Sequence, residues 1–60
     1  MLHVNDVVAG MCRNEHYTGK ITQIDPESGL LTIRRNDNDE TIWQWETMVH
    51  LAGGSENGTN

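Results

Sequence analysis

The apolar positions of this chain fall into short clusters, each closed by residues that favour turns. Val7-Val8-Ala9-Gly10-Met11-Cys12-Arg13 follows Asn5-Asp6 and runs into the polar, loop-like Asn14-Glu15-His16. Tyr17-Thr18-Gly19-Lys20-Ile21-Thr22-Gln23-Ile24 is rich in β-branched residues, which suit a pleated surface. Asp25-Pro26-Glu27-Ser28-Gly29 reads as a turn, because Pro26 presets φ early and Gly29 supplies a positive φ at the end. Leu30-Leu31-Thr32-Ile33-Arg34-Arg35 reads as a strand. Asn36-Asp37-Asn38-Asp39 reads as a second turn, since Asn and Asp tolerate the left-handed region. Glu40-Thr41-Ile42-Trp43-Gln44-Trp45 is a strand by composition, Glu46-Thr47-Met48 one helical turn, and Val49-His50-Leu51 a last short strand. No window sustains a helical apolar period over several turns, which excludes an all-helical fold.

Five short strands at even spacing predict an all-β fold, a small five-stranded barrel, which leaves little exposed sheet edge. Ile21 and Ile24 are three apart, which breaks strict alternation. A bend or bulge at Thr22-Gln23 lets both face inward. The barrel is expected over residues 1–51. Residues 52–60 combine Gly, Asn, Ser and Thr with almost nothing apolar, and are expected to form a flexible, disordered C-terminal tail. Asn57-Gly58-Thr59 fits a glycosylation acceptor pattern, read as coincidence for want of a secretory signal.

Composition narrows the function. The chain has 60 residues, 35% of them hydrophobic, and no Phe. So small a chain buries only about 60% of its unfolded surface, too little for a catalytic domain with its own deep cleft. No apolar run is long enough to span a membrane, and the first residues lack the charged and apolar regions of a signal peptide. Cys12 is the only cysteine, so no internal disulfide forms and a reducing, cytoplasmic setting is expected. Four basic residues against nine acidic ones give a net charge of −5. Phosphate neutralisation needs a basic stripe, and the neighbours of Lys20, Arg34 and Arg35 include Asp37, Asp39 and Glu40, so direct nucleic-acid binding is disfavoured. A protein partner with a basic surface, such as a nucleic-acid-binding protein, fits better.

Candidate chemistry is sparse. Trp43 and Trp45 share one face of a strand. Either both supply bulk to a Phe-free core, or Ile42 takes the core and both rings lie outside beside Arg34 or Lys20. Arg34 and Arg35 are expected to split across the sheet, one outward and one toward the inner edge. Cys12, His16, His3 and His50 lack the spacing of a zinc site, and the Asp37-Asp39-Glu40 run lacks the Gly and the final Glu of a calcium loop. Cys12 with His16 lacks an orienting third group and an oxyanion site. No catalytic residue, metal or cofactor is therefore expected.

The order of segments over about residues 4–51 resembles the SH3-like small barrels of the Tudor and KOW type. The resemblance rests on Val7-Val8-Ala9, on the stretch from Tyr17 to Asp25, on Leu30-Leu31-Thr32-Ile33, on the acidic turn, and on a polar-aromatic strand entering a helical turn before Met48-Val49-His50-Leu51. It implies a binding module without catalysis. Tudor modules hold methylated Lys or Arg in an aromatic cage; Tyr17 sits where that family places one cage residue, but Arg34, Arg35, Asn36 and Asp37 stand where it keeps further aromatics. KOW modules contact RNA or a polymerase. Type II dihydrofolate reductases, tetramers of similar barrels, carry a Val-Gln-Ile-Tyr strand to which Ile42-Trp43-Gln44-Trp45 corresponds only loosely, the Gln displaced and the Tyr missing. The leading expectation is a bacterial or phage accessory module that binds a protein through Tyr17, Trp43 and Trp45, with Asp37, Asp39 and Glu40 steering the encounter. A nucleic-acid contact through Lys20, Arg34 and Arg35 is one alternative, a tetrameric reductase of the type II dihydrofolate reductase kind is another, and self-association is compatible with all three.

Overall fold

Every β-rich cluster becomes a strand. The computed structural model describes residues 2–52. The elements are β1 (Val7–Cys12), β2 (Glu15–Asp25), β3 (Leu30–Arg35), β4 (Thr41–Trp45), a one-turn 3-10 helix (Glu46–Met48) and β5 (Val49–Leu51). All neighbours pair antiparallel in a single sheet of order β4-β3-β2-β1-β5.

The turns show why the strands stop where they do. After β2, Gly29 takes φ 80° and donates its N–H to Asp25 O, while the Asp25 carboxylate accepts from Glu27 N and Ser28 Oγ. After β3, Asp39 takes the left-handed φ of 60° and Asn38 Oδ1 accepts from Glu40 N. The β1–β2 connection is tighter than the polar composition of residues 14–16 suggests. Only Arg13 and Asn14 form the turn, both at positive φ (54° and 66°), and Glu15 and His16 already belong to β2. A two-residue hairpin turn with both centres left-handed matches the twist of its strands. Its usual signal is Asn-Gly or Asp-Gly, and Arg-Asn hides it.

One face of the sheet supplies the core: Val8, Tyr17, Ile21, Leu31, Ile33 and Ile42 are buried. The register of β2 against β3 shifts between Ile21 and Gln23, which leaves Thr22 as an extra residue. Ile21 therefore faces Ile33 and Ile24 faces Leu31, so both isoleucines turn inward as their spacing requires. A flat single sheet leaves its apolar face wet. Complete burial of Val8, Ile21, Leu31 and Ile33 means that this sheet curls over its own side chains. Leu2 packs on the core from the leading segment, which is tied down by Asn5 N donating to Ile21 O and Ile21 N donating to Asp6 O.

The curl stops short of closure, and the expected barrel is corrected to an open, curled sheet. β4 pairs with β3 alone and β5 with β1 alone. The 3-10 turn stands between them, and the three residues of β5 pair with Val8, Ala9 and Gly10. Of the tail expected over residues 52–60, only Ala52 is described, and it is not loose. Ala52 donates to Val7 O and continues the ladder, and the rest of the tail lies outside the described residues.

Gly19 marks the tightest approach of β2 to β3. A Cβ there would lie 2.6 Å from Arg34 O and 2.7 Å from the Ile33 side chain, and backbone cannot swing aside. Gly19→Ala is expected to destabilise the fold by about 1–3 kcal/mol. Urea unfolding checks it, as a lowered midpoint at unchanged slope.

Candidate binding surface

On β4, side chains alternate between the two faces of the sheet. Ile42 turns into the core, and Gln44 follows it inward with its Oε1 buried and unpartnered among the described residues. Trp43 and Trp45 turn outward, 60% and 49% exposed. Of the two arrangements open to the tryptophans, the structure takes the exposed one. The physical reason is the inner lining: branched aliphatics from β1, β2 and β3 already fill it, and two indoles have no room there.

The rings stand on a polar face with one apolar neighbour. Thr32 lies directly across from Trp43, and the half-buried Leu30 across from Trp45. Arg34 is opposite Thr41 on one side and Lys20 on the other, diagonal to Trp43. Like charges directly across a strand pair repel. Among the described residues neither Lys20 nor Arg34 has an ion-pair partner, whereas Arg13 pairs with Glu40 at 3.2 Å and Arg35 with Asp37 at 2.8 Å.

Tyr17 is not brought to the tryptophans. It is 4% exposed, on the inner face of β2, and its hydroxyl has no hydrogen-bond partner among the described residues. Arg35 turns inward as well, its guanidinium carbon 5.7 Å from the Tyr17 ring centroid. Its Nε and Nη2 donate in parallel to the two Asp37 carboxylate oxygens, with Glu15 at 3.8 Å. The arginine pair thus splits across the sheet: Arg34 outward and exposed, Arg35 inward and buried. Of the three carboxylates in the second turn, Asp37 holds Arg35 and Glu40 holds Arg13, leaving Asp39 without an ion pair among the described residues.

Two features of the surface carry no sequence signal. One is the contact of Leu30 with the indole strand, which depends on register. The other is an open groove lined by Met11, His16, Tyr17, Asp37, Met48 and His50. Its members come from β1, β2, the turn after β3, the 3-10 turn and β5, and only the fold gathers them. Among the described residues no three His, Cys, Asp or Glu side chains come together as a metal site would need. Among the same residues, no helix is long and apolar enough to cross a membrane. No family model, curated protein or solved structure matches the chain.

The Arg35 hydrogen bonds hold the Asp37 carboxyl below its usual range. Because its folded pKa lies below the unfolded one, Asp37 stabilises the fold above the unfolded value, and that contribution is lost as pH falls through the folded one. Asp37→Asn is therefore expected to lower the urea midpoint at neutral pH. It also shrinks the further drop seen below about pH 4. Unfolding curves of both proteins at neutral and acid pH check it.

Proposed function

We propose that this chain is a non-catalytic protein-interaction module, which docks its partner on the outer face of β4. The observation that carries the reading is the pair of exposed indoles, two residues apart on one face. Large exposed aromatics cost solubility, and Trp is among the residues most enriched at binding hot spots. The net charge of −5 supports a partner with a basic surface, such as a protein that itself binds nucleic acid. The strand order, with a 3-10 turn leading into a short fifth strand, supports kinship with the SH3-like modules of Tudor and KOW type. The lone, unpaired Cys12 supports a cytoplasmic setting.

A nucleic-acid contact is the second reading. It rests on Lys20 and Arg34, two cations set opposite each other beside Trp43, neither with an ion-pair partner among the described residues. With two phosphate contacts on a single strand it requires a log–log salt slope of about −1.4.

Trp43→Ala and Trp45→Ala are expected to stay folded, with stability changed by no more than about 1 kcal/mol, since the rings lose only cross-strand contacts. Affinity capture from a bacterial lysate checks the function. The unaltered chain retains a protein partner that the double variant loses, and an unchanged captured set overturns the reading. Titration of oligonucleotides at several salt concentrations separates the two readings, because the protein-binding reading expects no oligonucleotide binding at physiological salt.

A further inference from the structure

The indole strand is also an open sheet edge. In an antiparallel ladder, successive residues point their backbone groups alternately toward and away from the neighbouring strand. Two bonds settle which residues of β4 do which. Arg35 N donates to Glu40 O and Glu46 N donates to Gly29 O, each at 2.9 Å. Glu40, Ile42, Gln44 and Glu46 therefore face β3, and Thr41, Trp43 and Trp45 present their N–H and C=O groups to the open side. Among the described residues, no hydrogen bond outside the β3 ladder reaches them.

Exposed edges are normally blunted by charge, proline or a bulge within the strand. Thr41-Ile42-Trp43-Gln44-Trp45 has none of these. Its charges sit at the two ends instead: Asp39 and Glu40 before it, Glu46 after it. We propose that β4 accepts an extended segment of another protein as a sixth strand, with apolar residues at alternate positions and Lys or Arg at both ends. The inference rests on the protein-binding reading and specifies its mode.

Charge selects this occupant over a second copy of the chain. In the self-paired register with full overlap, Trp43 faces its own counterpart and Glu40 faces Glu46 of the other molecule. Glu40 is already held by Arg13, but Asp39 beside it and Glu46 have no ion pair among the described residues, so unneutralised carboxylates meet at both ends of the seam, between two molecules of charge −5 each. A basic-ended segment reverses the sign of both encounters. Its apolar side chains share the outer face with Trp43 and Trp45, since directly paired residues point the same way. On the inner side, a hydroxyl across from Gln44 supplies the donor that its buried Oε1 lacks. Main-chain bonds then provide affinity, and the indoles and end charges provide selection.

The end-blocked peptide Lys-Val-Thr-Val-Thr-Val-Lys tests this with the full chain, read by indole fluorescence and by amide hydrogen exchange. Binding is expected to add protection at the Thr41, Trp43 and Trp45 amides, while Ile42 and Gln44, already bonded to β3, change little. The peptide with Glu at both ends should bind at least about tenfold more weakly. Thr41→Pro removes one outward N–H at the first position of an edge strand, where proline is tolerated, and keeps both indoles. It is expected to weaken the peptide by about tenfold or more. Should that variant unfold, the exchange pattern of the unaltered chain decides alone. Fluorescence changes without new amide protection overturn strand addition and leave the indole surface standing as a docking site. Absence of binding at millimolar peptide, or dimers joined through β4 in sedimentation, overturns it as well. Loss of the captured partner in the double tryptophan variant but not in Thr41→Pro would show that the rings dock a protein without an added strand.

Discussion

A single sheet must bury one of its own faces, and it has only itself to do so. Val8, Ile21, Leu31, Ile33 and Ile42 meet that requirement from four different strands. Each fully buried aliphatic side chain contributes roughly 1.5–3 kcal/mol. Ordering the backbone opposes this at about 1–2 kcal/mol per residue, so the margin is thin and each inward position matters. The bulge at Thr22 belongs to the same requirement. Without the extra residue, Ile24 turns to solvent and one end of the core opens. Leu2 then covers what the curl leaves exposed, held by backbone bonds to Ile21.

The binding surface follows from the way the core is filled. Aliphatic residues occupy the inside, so the indoles of β4 are left outside, where the described residues cover them only in part. Incomplete closure has a matching effect on the backbone. The 3-10 turn carries the chain from β4 to β5 without a ladder between them, and β4 keeps its outward side chains and one row of its backbone groups free. The unpaired edge and the exposed aromatics thus belong to one strand, at the border of a sheet that curls without closing.

Charge is distributed with the same economy. The second turn draws Asp37 onto Arg35 and Glu40 onto Arg13, so much of the acidity of that turn is spent within the fold. Arg35 is tolerated inside because Asp37 grips it with two parallel bonds and the Tyr17 ring lies beneath it. Lys20 and Arg34 are left on the outer face, beside the rings. A molecule acidic as a whole therefore shows a mixed surface at β4: cations on the neighbouring strands, aromatics in the middle, carboxylates at the ends.

Strand positions, the Pro-Gly turn and the Asn-Asp turn, the bulge and the helical turn were all legible in the residues, because each depends on contacts a few positions apart. Pro26 and Gly29 shape their turn locally, and the spacing of Ile21 and Ile24 demands an extra residue wherever the partner strand lies. The Arg13-Asn14 hairpin escaped because both residues adopt a left-handed conformation that Arg rarely takes. Which way the tryptophans point was a matter for the assembled molecule. Their shared face follows from strand geometry, but inward or outward depends on how much aliphatic volume three other strands deliver to the same space. Separation of Tyr17 from the indoles, the inward turn of Arg35 and the failure of β4 to meet β5 are likewise outcomes of long-range pairing. Chain chemistry settled what each segment is; competition for a small interior settled what each segment shows to a partner.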